Sequence, residues 1–340
     1  MKENHYKIID LLKGIAIFLM LFGHVLLSVI NKSNLGHESV FYITNIIINE
    51  FHMPLLFLIS GVFVQQFVRK DFIPAFKSKV TRLVMPYFLW SFLIACGFEA
   101  LKKYADSLNI GLDLFLKSWK VPFWQFWFLY DLFFMFLIVY ILGKLFKLHY
   151  KEILFSISVA LYILYACQLI PNTWIFISLS RYLIYFAIGT YGLTILKNIL
   201  FAEYKHSHLI ISMILFLVVS YGYFIVKEYL PNCLLGYRFA VAILGCYFTV
   251  IFGKFIYNRC KICSEFLVGF GVNSMIVYCL HSSFILVIAK IWRKIFGNNL
   301  IWEQAIILTI VVSFFCWLVY EKIIPVNSRL RILFGELQRK

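Results

Sequence analysis

Charge is what this 340-residue chain has least of: Asp, Glu, Lys and Arg make up 14% of it, against roughly 25% in an ordinary soluble domain. That shortage excludes a soluble enzyme. Disorder is excluded from the opposite direction, since it needs few hydrophobic residues and here they reach 62%, with 37 Phe, 21 Tyr and 8 Trp. No glycine-rich phosphate loop and no G-x-S-x-G elbow is present, which leaves a serine hydrolase without its nucleophile. Cys260 and Cys263 form a single C-x-x-C without the second pair or the His partners of a zinc site, so no metal is expected. Cys96, Cys167, Cys246, Cys279 and Cys316 sit inside apolar runs and read as small hydrophobes, not as a disulfide framework. Repeats of about 20 to 50 residues, low-complexity stretches and long linkers are also missing, so residues 1–340 read as one domain.

What is present is apolar sequence in long unbroken runs. A transmembrane helix uses about 20 apolar residues, whereas barrel strands alternate over roughly ten, so the runs predict an all-α, polytopic membrane helix bundle. About ten spans are expected, near 8–30, 41–67, 80–101, 122–143, 151–170, 173–196, 207–226, 235–257, 268–289 and 300–323. The first run follows a basic start but is too long for a signal peptide and lacks a small-residue cleavage pattern, so it is read as retained. With the N-terminus inside, the inner segments carry 20 Lys and Arg and the outer loops ten, with Lys13 and Arg181 inside spans. That bias places both termini in the cytoplasm. It also absorbs the formal charge of +16, so no nucleic-acid partner is expected; the lipid bilayer is the surrounding medium.

An ionisable group at membrane depth is costly and faces a protein interior or a wet cavity, so each one is a functional candidate. His24 lies about 24 Å along the first helix from its inner end, in the outer part of a roughly 30 Å core. Lys13 stands eleven residues earlier, about 16 Å away and within some 20° of the same helix face. Glu50 and His52 in the second span, Asp131 in the fourth, Arg181 in the sixth and His281 in the ninth reach comparable depth, roughly 9 to 15 Å below the outer surface. At the inner mouth of the third span, Lys79 and Arg82 are three residues apart and nearly share a face.

An imidazole with a nearby carboxylate, either Glu50 or Asp131, suits proton transfer to or from a hydroxyl. Lys13, Lys79 and Arg82 suit an anionic, phosphate-bearing cosubstrate drawn from the cytoplasm. Each candidate also has a plainer reading. A lysine near a helix end snorkels to the headgroups, and basic inner loops follow from topology alone. His52 precedes Pro54 and could serve a freed backbone group. Asp131 and Arg181 could pair as bundle glue, and His281 could be an interhelical contact. Trp119, Trp124 and Trp127 read as an interfacial belt, although aromatic faces also stack on sugars.

The stretch from Lys7 to His24, KIIDLLKGIAIFLMLFGH, resembles the start of the acyltransferase 3 family of bacterial membrane acyltransferases, whose first helix carries a basic residue, ten others, then His. FHMPLLFLISG from Phe51, RLVMPYFLW from Arg82, WFL from Trp127 and GVNSMIVYCLH from Gly271 to His281 are similar to further family segments, in the family's order. The resemblance implies an integral O-acyltransferase of the bacterial cytoplasmic membrane. It would move an acetyl or other short acyl group from acyl-CoA, usually acetyl-CoA, to a sugar hydroxyl of an envelope polysaccharide or its lipid-linked precursor. It implies that His24 is catalytic and that Lys79 and Arg82 match the family's basic pair; Glu50, an acid inside a span, is read from the residues as the catalytic partner. His52, Asp131, Arg181 and His281 would support the site or the acceptor; acyl-CoA is a cosubstrate and no bound cofactor is implied. The family usually has Arg where Lys13 and Lys79 stand, and Lys keeps the charge but loses the planar fork. No esterase-like domain is expected beyond the tenth span. The alternative function is a transporter or flippase for a glycan or lipid-linked sugar, which inverted repeats with paired broken helices would mark; the sequence shows no such symmetry. A non-catalytic membrane subunit of a synthesis complex is a third possibility.

Overall fold

In lipid the backbone must satisfy its own hydrogen bonds, and a helix does so within one segment. The computed structural model accordingly consists of helices, with no strand among the described residues. It describes residues 2–31, 36, 39–101, 111–201, 206–297 and 301–335, with backbone alone for 2–6, 101, 193–201 and 328. In chain order the helices are α1 (Lys2–Ile30), α2 (Val40–Val62), α3 (Val64–Val68), α4 (Phe72–Lys79), α5 (Met85–Leu101), α6 (Leu112–Leu116), α7 (Trp127–Phe146) and α8 (Tyr150–Ala166). There follow α9 (Trp174–Phe201), α10 (His206–Tyr229), α11 (Leu234–Arg259), α12 (Lys261–Val272), α13 (Ser274–Phe296), α14 (Ile301–Leu318) and α15 (Ile324–Val326). Wider π-helical turns, Val80–Val84 and Val319–Ile323, join α4 to α5 and α14 to α15.

Eight helical stretches among the described residues are long and apolar enough to cross a membrane. The expected fifth and sixth spans are α8, whose 17 residues reach about 26 Å, and the 28-residue α9. The chain is a polytopic helical membrane protein. Some expected runs are interrupted: 41–67 is broken at Phe63, between α2 and α3, and 268–289 is broken at Asn273. The Asn273 Nδ2 donates to the Gly269 carbonyl at 2.9 Å, which ends α12 by giving that carbonyl a side-chain partner. At its other end α12 is capped by Cys260, whose Sγ accepts from the Cys263 amide at 3.4 Å. The Cys263 thiol also bonds to Cys260 and lowers the Cys260 pKa below the ordinary thiol value.

Met1–Ile59 and Leu193–Pro325 form one compact unit. Within it α1 packs against α11, α12, α13 and α14. Leu11, Leu12, Ala16, Leu21, Val25 and Val29, spread around the circumference of α1, are wholly buried. The closest approach is reciprocal and involves two glycines. A methyl group on Gly14 would overlap the Leu267 carbonyl, and one on Gly271 would overlap the Asp10 carbonyl. With no side chain at either position, α1 and α12 meet backbone to backbone, the contact that small residues permit in membranes. Further out, Leu26, Val29, Phe41, Ile48 and Ala305 join α1, α2 and α14 in an apolar cluster.

Ser60–Gly192 and Val326–Lys340 form the second unit. Its organising polar contact is Tyr87, whose hydroxyl donates to the Ser118 carbonyl at 2.7 Å and accepts from the Phe123 amide at 3.0 Å. One buried ring thereby ties α5 to the segment leading into α7. The 3-10 turn Ser328–Phe334 is held to α5 by the Trp90 indole, which donates to the Leu333 carbonyl at 2.9 Å.

The glycine contact sets a direct stability test. Gly14→Ala should destabilise the folded chain by about 3 kcal/mol through overpacking against a carbonyl that cannot move alone. Gly97→Ala, on α5 with open space around it, should be neutral or stabilising by about 0.5–1 kcal/mol. Reversible unfolding in detergent micelles measures both, and equal effects would refute the backbone contact.

Candidate active site

α1 packs against four other helices of its unit, so the polar groups on it lie largely among protein. His24 is half-buried, and its ring centroid lies 5.1 Å from that of His281 on α13, with the planes tilted by 47°. His52 on α2 completes the group. The three rings are near enough for a charge on one to bear on the others.

Two of the rings are fixed. The His52 Nδ1 lies 2.7 Å from the Ile48 carbonyl; that of His281 lies 2.8 Å from the Tyr278 carbonyl and 3.1 Å from that of Val277. A carbonyl only accepts, so Nδ1 carries the proton in both rings and Nε2 is left to accept. The His281 Nε2 takes the hydroxyl of Ser282 at 3.0 Å. His281 is wholly buried and His52 is 3% exposed. His24 differs: among the described residues neither of its ring nitrogens is tied to a backbone or side-chain group. One untethered, partly open imidazole thus stands beside two whose tautomers are set. Among the described residues no group of three or more His, Cys, Asp or Glu is placed to hold a metal ion.

Glu50 is engaged elsewhere. Its Oε2 accepts from the Arg238 Nε at 2.8 Å and its Oε1 faces the Arg238 Nη2 at 2.8 Å, a two-pronged ion pair joining α2 to α11. The residue is 8% exposed, a depth at which an unpaired carboxylate would be costly. Lys13 lies on the same unbroken α1 as His24 and pairs with Asp10, one turn earlier, at 3.1 Å.

The remaining expected residues belong to the second unit. Lys79 ends α4 with its ammonium 3.1 Å from the ring centre of Phe136 and 4.9 Å from that of Phe67, a cation-π setting. Arg82 is exposed and sits within the π-helical turn, so the α-helical spacing that would align it with Lys79 does not hold there. Asp131 on α7 is wholly buried and accepts from the Ser178 hydroxyl of α9. Arg181 on α9 lies over the Tyr182 ring at 5.0 Å.

Sequence reasoning missed Arg238 by counting it with the outer loops. A lone acid at depth calls for a cation, and Arg238, just inside an apolar run, was the available signal. It also missed Asn45 and Asn49, which share the His52 face of α2 at helical spacing. Arg238→Ala, which leaves Glu50 buried and without this partner, should cost about 3 kcal/mol of stability, and Glu50→Ala, which leaves the more exposed Arg238, should cost less. The double variant should lose less than the sum, and a double-mutant cycle in detergent showing additive losses would contradict a working pair.

Comparison with curated proteins and with solved structures gave no match. The family described as an acyltransferase domain matches residues 6–321, a stretch that holds His24, His52, His281 and every other candidate named above. The chain belongs to the acyltransferase 3 family of membrane acyltransferases.

Proposed function

We propose that the chain is an O-acyltransferase that moves an acetyl or similarly short acyl group from acyl-CoA to a sugar hydroxyl of an envelope polysaccharide or its lipid-linked precursor. It would act as one domain in the bacterial cytoplasmic membrane, with both termini in the cytoplasm. The observation that carries this reading is the untethered His24 ring, set at membrane depth on an enclosed helix beside two oriented imidazoles.

The chemistry follows from what an imidazole can do. His24 takes the proton of the incoming hydroxyl as the oxygen attacks the thioester carbon, and the CoA thiolate leaves. In the other route the His24 nitrogen attacks first, holds the acyl group as an acyl-imidazole and passes it to the sugar. His52 and His281, with Nδ1 protons committed to carbonyls, bear on the imidazolium that the first route creates. Glu50, held by Arg238, is kept as a candidate partner of His24, and Asp131 and Arg181 as supporting candidates within the second unit.

Lys13 in the first unit, and separately Lys79 and Arg82 in the second, are the cations proposed to attract the donor's phosphates, and charge-assisted bonds to phosphate are strong enough to displace weaker partners. For Lys13 that means exchanging Asp10 for phosphate. For Lys79 it means leaving an aromatic face worth about 0.5–2 kcal/mol.

Purified chain, labelled acetyl-CoA and whole envelope glycan extracted from the source cells provide the test. His24→Ala should reduce label transfer by on the order of 10³-fold. Transfer that survives the substitution would overturn the reading, and glycan movement across vesicles without acylation would point to a transporter.

A further inference from the structure

On α2, Asn45, Asn49 and His52 follow one another at four and then three residues, which places them on one helix face. The Asn45 Nδ2 donates to the Gly23 carbonyl at 2.6 Å. That carbonyl belongs to the peptide joining Gly23 to His24, so the bond grips α1 at the backbone of the residue proposed to react. We infer that Asn45 is a positioning residue for His24, acting through this peptide and not by touching substrate. The inference rests on the reading of His24 as the reacting imidazole.

Three observations support it. First, the orientation of the Asn45 amide is set. The Asn49 Nδ2 donates to the Asn45 Oδ1 at 3.0 Å and to the Asn45 carbonyl at 2.8 Å, so the Asn45 oxygen faces Asn49 and its nitrogen faces Gly23. Second, the gap is already filled. A methyl group on Gly23 would lie 3.5 Å from Ile48 and 3.7 Å from the Asn45 nitrogen, both ordinary contacts, so packing alone does not require an amide there. An apolar residue would close the space without burying a polar group, yet Asn45 is 8% exposed and fully committed to its partners. Third, two turns further along the same face, His52 has its ring fixed on the Ile48 carbonyl. One helix face therefore holds the His24 backbone and presents a ring to its side chain. Loosening the first lets His24 drift from the second, and a displacement of about 1 Å costs roughly 10²-fold in rate.

The experiment uses the purified full chain with labelled acetyl-CoA and whole envelope glycan as acceptor, comparing the parent with Asn45→Ala, Asn45→Asp, Asn49→Ala and His24→Ala. Asn45→Asp keeps the shape but places an acceptor against a carbonyl. Asn49 is exposed, so Asn49→Ala keeps the fold while freeing the Asn45 amide to turn. The expected result is a fall in kcat of on the order of 10²-fold for both Asn45 variants and a smaller fall for Asn49→Ala. KM for acetyl-CoA should stay within about twofold, since donor binding does not pass through this bond. A kcat within about twofold of the parent for both Asn45→Ala and Asn49→Ala, alongside an inactive His24→Ala, would overturn the positioning role. So would a rise in KM at unchanged kcat. Activity retained by His24→Ala would instead overturn the functional reading beneath it.

Discussion

A polar ring on an enclosed membrane helix has nowhere to go except against other protein, and much of the first unit is arranged around that constraint. α1 packs against α11, α12, α13 and α14, and its backbone meets that of α12 through Gly14 and Gly271. Such closeness leaves little slack for α1 to rotate or slide. His24 is therefore held in a narrow range of directions before any specific partner is considered, and its neighbours, His52 and His281, come from two other helices of the same unit.

The polar groups around it are divided between fixed and available ones. His52 and His281 commit their Nδ1 protons to backbone carbonyls, and Ser282 fills the remaining nitrogen of His281. Glu50 commits its carboxylate to Arg238. That ion pair joins α2 to α11 and gives a buried carboxylate its partner. What remains uncommitted is the edge of His24, where acyl transfer needs a base or a nucleophile. The family to which the chain belongs makes acyl transfer the chemistry to expect.

Much of this was legible in the residues. Ten apolar runs announced helices, and the ionisable groups at matching depth announced a polar layer from which His24, His52 and His281 do come together. The failures have physical causes. The run through 268–289 hid a helix break, because apolar content says nothing about Asn273 turning its side chain back onto Gly269. Lys79 and Arg82 are joined by a π-helical turn that the sequence does not show, and the Lys79 ammonium rests on Phe136. By sequence alone Arg238 reads as a loop charge, because helix ends are the least visible feature of an apolar run. Asn45 and Asn49 were passed over because they carry no charge, although their spacing from His52 placed them on its face.

The central claim is that the His24 imidazole is the group that meets the thioester. A structure of the chain with a non-transferable acyl-CoA analogue in lipid nanodiscs tests it most directly. The account expects the carbonyl carbon within about 3.5 Å of a His24 ring nitrogen, the separation of a reactive approach. An analogue bound with its acyl group turned away from His24, or at a site that His24 does not border, would contradict it.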